Sequence, residues 1–349
     1  GDVYKRQILN NLFKIRKMKN IYYLFLGLMT IMGFAACNNE WEDEQYLLQA
    51  SFKANVTDQG VTTTYVRFNS GGVVKYNLPI LMSGSTVNTQ NRTIHIGLDP
   101  DTLAVLNEEQ YGHREELYFR QLPNQYYNMP ETVEMLAGES LAVLPVEFTL
   151  DESLDQSDKW VLPLQILTDP SYDYQVNPRK YYRRAMLHLL PFNDYSGLYD
   201  ASQYKCYLEG DKTVPLTVES TRAYVVDDNT IFIYAGTRDI DYLDRKQYKV
   251  FIRFTDEIVD LQTKKLEVWS DNDEIELTTN GIQSYSISEE MDPLKVYLKK
   301  IFITLNLNYS FKDITQIPGS SINYQVEGSL SMLRQLNTLI PDEDQQIQW

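Results

Sequence analysis

The sequence predicts an all-β protein of two domains. Short runs in which every second residue is apolar recur along most of the chain, and Gly, Asn, Asp or Pro stands between them. Such a run gives a strand one buried face and one face in water. With 349 residues, 43% of them hydrophobic, the chain can bury a large core, and this length suggests about two domains.

The first element is a leader that precedes the folded domains. Met18-Lys19-Asn20 is followed by an uncharged apolar run over Ile21–Phe34 and then by Ala35-Ala36-Cys37. A short basic start, an apolar stretch shorter than the roughly 20 residues that span a bilayer, and small residues before a cleavage point predict a signal peptide over residues 18–36. Because the cysteine directly follows two alanines, the segment resembles the lipobox of bacterial lipoproteins.

Acylation of Cys37 is what we expect from this pattern. The thiol would receive a lipid and become the mature N-terminus, and the acidic residues 37–46 would form a tether. We interpret residues 1–17, which precede the methionine of the pattern, as an artefact or an untranslated extension. Cys206 is the other cysteine of the chain, so no intrachain disulfide can form once Cys37 is acylated. Its place in an alternating run predicts a buried, inert thiol.

Residues 47–190 are predicted to form the first domain, a β-sandwich. A boundary is suggested where a strand-like run ends at Pro191 and a Ser-Gly turn opens a new set of strands. The main helix begins at Asp99-Pro100-Asp101, which offers an N-cap, a proline in the first turn and an acid on the helix dipole, and we expect it to end near Asn107. The clear strand candidates are Thr64-Val66-Phe68, Ile94-Ile96-Leu98 and Val146-Phe148-Leu150.

Residues 192–349 are predicted to form the second domain, an antiparallel meander. About eight to ten short strands follow one another through tight turns. The clearest are Val250-Ile252-Phe254 and Ile301-Ile303-Leu305-Leu307. Such a meander closes into an up-and-down barrel of the lipocalin kind or folds as a second sandwich. Closure removes exposed strand edges, which favours the barrel.

The charge of the chain limits its partners. The formal net charge is −16, and the leader holds six of the 32 lysines and arginines but a single acid, so the mature part is more acidic still. An acidic surface repels phosphate backbones and anionic lipid surfaces. We therefore expect no nucleic-acid partner, and we expect contact with the membrane through the lipid anchor alone.

Sequence patterns for catalysis or metal binding are missing. The histidines His95, His113 and His188 have no ligand spacing, and no Gly-rich phosphate loop or nucleophile elbow occurs. Asp271-Asn272-Asp273-Glu274 lacks the later glycine and glutamate of a calcium loop and predicts a solvated turn. We expect no metal, no cofactor and no enzyme activity. A glycosidase, which needs two placed carboxylates, stays open as an alternative.

Aromatic residues are the feature that points to binding. The chain has 26 Tyr, 13 Phe and 4 Trp, and sugar rings bind by stacking on aromatic planes with polar groups around them. In Leu266-Glu267-Val268-Trp269 the apolar pair faces inward, so Trp269 faces water. Packing of Trp269 against the other domain or a loop is the alternative. The candidate carbohydrate site consists of Trp269, Asp271, Asn272 and Asp273, and weaker candidates are the loop tyrosines Tyr126, Tyr127, Tyr172 and Tyr174.

Two sets of motifs resemble one family, the surface lipoproteins encoded in glycan-utilisation loci of gut Bacteroidetes. The first set resembles the immunoglobulin-like domain of unknown function that precedes family 18 endoglycosidases, and it comprises Leu98-Asp99, Leu122-Pro123-Asn124-Gln125-Tyr126-Tyr127, Val143–Leu150 and Trp160–Ile166. The second set resembles the uncharacterised β domain that commonly follows it, and it comprises Ser196-Gly197-Leu198-Tyr199, Ile322–Gly328 and Ile340–Trp349. The resemblance covers nearly the whole mature chain, and its motifs fix no binding residues.

This resemblance implies a non-catalytic protein that is lipid-anchored in the outer membrane, faces the cell exterior and captures an oligosaccharide or polysaccharide. The partners that it implies are an outer-membrane transporter and the substrate-binding lipoprotein of that transporter. The alternatives are a structural or adhesive surface protein that binds a protein partner, and an unrecognised glycoside hydrolase. Asp101-Thr102-Leu103 also matches the motif at which these bacteria O-glycosylate exported proteins, so Thr102 is a candidate modification site, although the first turn of the helix explains the same residues.

Overall fold

The computed structural model describes residues 47–349, so the predicted signal peptide, Cys37 and the acidic tether lie outside the described residues. About half of the chain is strand and about a tenth is helix, which confirms the all-β prediction. No helix within residues 47–349 is both long enough and apolar enough to cross a membrane.

The first group of strands forms two sheets that pack face to face. The strands are β1 (Gln49–Phe52), β2 (Thr62–Arg67), β3 (Val74–Ser83), β4 (Arg92–Leu98), β5 (Phe119–Gln121), β6 (Tyr127–Asn128), β7 (Thr132–Met135), β8 (Leu141–Phe148), β9 (Lys159–Ile166), β10 (Gln175–Val176) and β11 (Arg184–Phe192). One sheet has the order β10-β1-β3-β8-β6, and the other has the order β2-β11-β9-β4-β7 with β5 added beside β9. Their facing side chains, among them Leu78, Phe148, Leu164 and Leu187, are fully buried in a shared core.

Helix α1 (Pro100–Tyr111) packs on the outer face of the second sheet, and the short helix α2 spans Lys180–Arg183. The expected end near Asn107 is wrong, because the helix continues to Tyr111 and Gly112 follows it with a φ of 55°. Asn107 does not stop the helix, since its buried amide donates to the carbonyl of Phe119 (2.8 Å) and accepts from the N–H of Phe119 (2.7 Å).

The start of α1 agrees with its sequence signals. Asp99 accepts hydrogen bonds from the backbone N–H of Thr102 (3.1 Å) and from the Thr102 hydroxyl (2.8 Å), and it pairs with Arg184 of β11 at 2.5 Å. The cap and the ion pair therefore attach the helix to the sheet. The hydroxyl of Thr102, the candidate O-glycosylation site, is part of this cap.

The second group of strands forms a closed eight-stranded antiparallel barrel. Its order is β12-β14-β15-β16-β17-β19-β20-β21, and β21 pairs back onto β12, so the predicted barrel is confirmed over a second sandwich. The barrel strands are β12 (Gly197–Leu208), β14 (Ser220–Val225), β15 (Thr230–Tyr234), β16 (Lys249–Ile258), β17 (Lys264–Trp269), β19 (Ser284–Met291), β20 (Leu298–Asp313) and β21 (Ile322–Asn337). Three further strands add to its margins, namely β13 (Asp211–Thr217), β18 (Thr278–Thr279) and β22 (Ile347–Gln348).

Closure of the barrel depends on a close approach at Gly328 of β21. Its φ is 131°, and a Cβ atom at this position would lie 1.9 Å from the carbonyl oxygen of Gln203 on β12. Only glycine fits this conformation and this distance.

The barrel interior is filled by side chains, as expected for eight strands. Tyr199, Tyr204, Tyr309 and Ile252 are buried there, and the hydroxyls of Tyr204 and Tyr309 hydrogen-bond to each other. Cys206 belongs to the same interior, and burial raises the pKa of its thiol to about 12. The predicted burial of this thiol is confirmed, and its low reactivity stays a prediction.

A buried arginine joins the barrel to the first group of strands. Arg245 lies in the 3₁₀ turn Arg245–Tyr248, is 1% exposed, and donates to the carbonyls of Ser157 (3.0 Å) and Glu116 (2.6 Å) as well as to that of Tyr242 (3.0 Å). Three ion pairs surround it at the same interface, namely Lys159–Asp241 (2.7 Å), Lys246–Asp158 (2.9 Å) and Lys249–Asp155 (2.7 Å).

A second interface lies at the other side of the junction. The ring of Trp349 stacks on that of Tyr65 at 3.8 Å and meets the ring of Phe192 edge to face at 4.8 Å. Arg67 pairs with Asp194 at 3.0 Å and also with Asp344. Residues after β21 therefore fold back onto β2 and β11.

Candidate functional site

Four aromatic side chains form a row on the outer wall of the barrel. Tyr224 lies opposite Phe232, Phe232 lies opposite Phe251, and Phe251 lies opposite Trp269 on four neighbouring strands. Consecutive ring centroids are 5.1, 6.1 and 5.5 Å apart. We call this row the aromatic ladder. Aromatic cross-strand pairs of this kind stabilise a sheet and hold each ring in place.

The middle of the aromatic ladder and its Trp269 end have different surroundings. Phe232, in the middle, is 2% exposed, and the ammonium of Lys249, which pairs with Asp155 of the first sheet pair, lies 5.1 Å from its ring centroid. Trp269 is only partly buried. Beyond it no strand of the described chain continues the row, because β17 pairs with β19 only at Lys264 and Lys265. Packing against the other domain, the alternative for Trp269, therefore describes Phe232 in the middle of the ladder.

Polar groups surround the indole of Trp269. The guanidinium of Arg253 lies 5.1 Å from the Trp269 ring centroid and pairs with Glu267 across the strands at 3.5 Å. The side chains of Arg253 and Glu267 are each 50% exposed. The indole N–H donates to Asp271 at 3.2 Å. We call Phe251, Arg253, Glu267, Trp269 and Asp271 the Trp269 patch.

The remaining two residues of the predicted site lie at the start of the 3₁₀ turn Asp273–Ile275, which Asn272 caps and Asp273 begins. The amide of Asn272 donates to the carbonyl of Gln247 (2.9 Å), and its oxygen accepts from the N–H of Glu274 (3.1 Å). Asn272 therefore shapes the turn and has little left to offer a ligand. Asp273 is exposed, so its carboxylate is free to accept hydrogen bonds from sugar hydroxyls.

Tyr126 and Tyr127 do not form an exposed pair. Tyr126 is 5% exposed within the sandwich core, and its hydroxyl hydrogen-bonds to Ser153 at 2.7 Å, so its ring has no face for a ligand. Tyr127 is half-buried and donates to Asn124 at 2.8 Å, and burial raises its pKa. The 3₁₀ turn Asn124–Tyr126 carries the first tyrosine inward although it lies outside a strand.

Tyr172 and Tyr174 surround His95. The ring of Tyr172 stacks on that of His95 at 3.9 Å, and Tyr174 is buried beside them. The Tyr174 hydroxyl donates to the carbonyl of Leu167 (2.8 Å) and accepts from the N–H of His95 (3.0 Å), and burial raises its pKa to about 12. Tyr174 is thus structural, whereas Tyr172 borders a shallow cleft of about 310 Å³ with Arg92.

Sequence reasoning missed Arg253. The residue follows Phe251 by two positions, so alternation alone places it on the outer face, and the hairpin register places it opposite Glu267. That register could not be read with certainty because β16 and β17 are joined by a bulged turn region after Phe254. Among residues 47–349 no group of three or more His, Cys, Asp or Glu side chains could hold a metal ion.

Comparison with known proteins gives matches at the level of families and folds. A profile described as "Domain of unknown function (DUF4973)" matches residues 41–170, and a profile of a C-terminal domain matches residues 183–331. No curated protein matches the chain.

Three solved structures from Bacteroides resemble the whole described chain. A Bacteroides ovatus protein of unknown function is 41% identical with a TM-score of 0.77, and the match covers 84% of this chain and 94% of that one. A multidomain protein including DUF1735 from the same species is 39% identical with a TM-score of 0.76, and the match covers 86% and 99%. A Bacteroides thetaiotaomicron protein described as an auxiliary nutrient binding protein is 36% identical with a TM-score of 0.76, covering 85% and 100%.

Proposed function

The chain belongs to the same family as these three Bacteroides proteins, and from that premise we propose that it is a non-catalytic cell-surface lipoprotein that captures glycans. The relative described as an auxiliary nutrient binding protein supports a role in nutrient capture, because the match covers that whole protein at 36% identity.

The Trp269 patch is the observation that carries the proposal. Phe251 supports one face of the indole, so the ring is held rigid and little entropy is lost when a sugar stacks on it. Arg253, Glu267 and Asp271 surround it with donors and acceptors that fit sugar hydroxyls. A rigid aromatic plane bordered by polar side chains is the arrangement that binds pyranose rings.

The carboxylates of the patch favour binding over hydrolysis. Glu267 is paired with Arg253, and Asp271 accepts the indole N–H of Trp269. Both acids therefore hold the patch in shape, whereas a glycosidase needs one carboxyl group to give up a proton. We propose that the protein delivers the bound glycan intact to an outer-membrane transporter and the substrate-binding lipoprotein of that transporter.

Replacement of the indole tests the carbohydrate site. A glycan array with the wild-type protein first identifies a ligand, and calorimetric titration then compares Trp269→Ala with the wild type. Loss of a stacking aromatic should cost about 1–2 kcal/mol, a factor of about 5 to 30 in affinity. Phe302→Ala is the matched control, because Phe302 is an exposed aromatic on the outer face of β20.

The outcomes of this comparison are distinct. Unchanged affinity in Trp269→Ala, or an equal loss in Phe302→Ala, would remove the Trp269 patch from the site. Release of shortened products from the array ligand would contradict a non-catalytic role. Binding to a protein partner with no glycan bound would instead support the structural or adhesive alternative.

The surface location has its own test. We propose that Cys37 carries the lipid that anchors the protein in the outer membrane, facing the exterior. Cys37→Ser should leave the protein in the soluble fraction without fatty-acid label. Cys206→Ser is the matched control and should stay with the membranes, since Cys206 lies inside the barrel. Continued membrane association and labelling of Cys37→Ser would contradict the anchor.

A further inference from the structure

A cleft of about 280 Å³ separates the first group of strands from the barrel. One wall is the outer face of β2, β11 and β9, where His188 lies beside Thr63 on one side and Val161 on the other. The opposite wall is β14 of the barrel. We call this space the interdomain cleft, and the residues that matter here are Gln59, Thr63, Lys159, His188, Arg222 and Tyr224.

The acidic side chains at the interdomain cleft are already neutralised. Asp241 pairs with the buried Lys159 at 2.7 Å. Asp158 pairs with Arg120 and with Lys246, at 2.9 Å in each case. Neither carboxylate pairs with Arg222.

Arg222 is the cation that lacks a counter-charge. It is half-buried, and its guanidinium makes no hydrogen bond and no ion pair with any residue in the range 47–349. Every other arginine or lysine that lines this cleft or the larger one of about 600 Å³ near Trp349 has partners. In that larger cleft Arg67 pairs with Asp194, and Lys299 pairs with Glu289 at 2.6 Å.

His188 reports the same positive environment. Burial, together with the charges of Lys159 and Arg222, lowers its pKa to about 4. The imidazole is therefore neutral near pH 7 and can donate or accept one hydrogen bond without adding charge. Within a chain of formal charge −16, the guanidinium of Arg222 is thus a charge without an ion-pair partner among the described residues, in a cleft whose two acids are paired with other cations.

We propose that the interdomain cleft binds the oxyanion of an acidic saccharide, a carboxylate or a sulfate ester, with Arg222 as the anion-binding residue. The planar guanidinium presents paired N–H groups that match such an oxyanion. The ring of Tyr224, the hydroxyl of Thr63 and the amide of Gln59 supply the apolar and polar contacts that a sugar ring requires. The choice of a saccharide rests on the proposed function, whereas the anion preference rests on the cleft alone.

Titration with matched sugars tests the proposal. The purified protein is titrated at low ionic strength with D-glucuronate, N-acetylglucosamine 6-sulfate and D-glucose, which present a carboxylate, a sulfate ester and no charge. We expect at least one of the two acidic sugars to bind more tightly than glucose and to weaken as salt is added. The stronger of the two identifies which oxyanion the cleft prefers.

Variants of one residue then locate the binding. Arg222→Gln should weaken the acidic sugar about 10- to 100-fold, because a charge-assisted hydrogen bond is lost. Arg222→Lys should retain part of the affinity, since the ammonium keeps the positive charge but lacks the paired N–H groups of the guanidinium. Arg114→Gln removes the same charge from an exposed residue outside the cleft and should change nothing. Thermal melting confirms that each variant is folded.

Three results would overturn the proposal: no binding of either acidic sugar, equal affinity for glucose, or wild-type affinity in Arg222→Gln. Trp269→Ala separates this proposal from the proposed function, because it should leave binding of the acidic monosaccharide unchanged. Arg222-dependent binding combined with an empty glycan array would contradict the Trp269 patch and leave the cleft standing. Array binding that depends on Trp269 but no binding of acidic sugars would contradict the cleft alone.

Discussion

Replacement of Arg245 by methionine should weaken the junction between the first group of strands and the barrel. Methionine keeps much of the apolar stem but removes three donors, which now serve the carbonyls of Ser157, Glu116 and Tyr242. Two of these carbonyls belong to the first group of strands. The substitution therefore removes polar contacts across the interface while it changes the packed volume little.

Two opposing effects set the magnitude. Each carbonyl that loses its donor in a buried site costs about 1–3 kcal/mol. Within residues 47–349 no carboxylate pairs with Arg245, so its removal also relieves the cost of burying a charge. With three carbonyls affected, the loss exceeds the relief, and we expect a net destabilisation of about 3 kcal/mol. At about 2–4 °C per kcal/mol this lowers the melting temperature by roughly 6–12 °C.

Differential scanning calorimetry measures the effect. We expect the variant to separate into two transitions, because weaker coupling lets the barrel and the sandwich unfold independently. Lys246→Met is the matched control, since the neighbouring Lys246 also bridges the interface, to Asp158, but its side chain is 46% exposed. An exposed ion pair contributes about 1 kcal/mol or less. Equal melting shifts for the two variants would refute the reasoning that the buried guanidinium holds the junction.

Three further predictions concern single features of the fold. Gly328→Ala should lower the free energy of unfolding by about 3 kcal/mol or more, because the new Cβ meets a backbone carbonyl. Gly319→Ala, at a position with a φ of 76° and open space around it, should lower it by about 1 kcal/mol. Equal losses in chemical denaturation would argue against a close contact between β12 and β21. Burial alone would raise the pKa of Asp99, but its hydrogen bonds with Thr102 and its ion pair with Arg184 outweigh burial, so the pKa is lowered. The ionised carboxylate therefore stabilises the folded state above a pH of about 4, and this stabilisation is lost in more acidic solution. Asp99→Asn should therefore lower the melting temperature at pH 7 and much less at pH of about 2.5, and an equal loss at both would refute the linkage. Cys206 should resist iodoacetamide at pH 8 in the native protein and react once denaturant unfolds it, while rapid native labelling would contradict its burial.

Local periodicity predicted the elements of the fold well. Each alternating run lies mainly in an observed strand, although Phe68 and Leu150 fall just after the ends of β2 and β8. The outward orientation of Trp269 follows from Leu266, which is buried, and Glu267, which is exposed. A closed barrel leaves no exposed strand edges, which is why the sequence favours it over a sandwich. The pairing of β12 with β21 closes the barrel. The strand runs and the orientation of Trp269 depend on neighbouring residues, which a single sequence displays directly.

Contacts between distant residues could not be predicted in the same way. Residues 341–348 are polar in composition, yet Ile347 is buried and Trp349 stacks on Tyr65 from the opposite end of the described chain. Tyr126 and Tyr174 lie outside long strands but fill the sandwich core, because short turns direct their rings inward. The cleft around Arg222 exists only once β14 faces the first sheet pair. In each case tertiary packing overrides the local pattern.

The seam between β12 and β21 also determines when the barrel can form. Tyr204 and Gly328 are partners across it, although nearly the whole barrel sequence separates them. Pairing of such distant segments is slow, because a long loop must close before any contact stabilises it. We therefore expect one edge of β12 to stay unpaired until β14 to β20 have assembled as local hairpins. The sandwich, completed by β11, is expected to fold before the barrel, and it then supplies the surface on which the late-closing barrel docks.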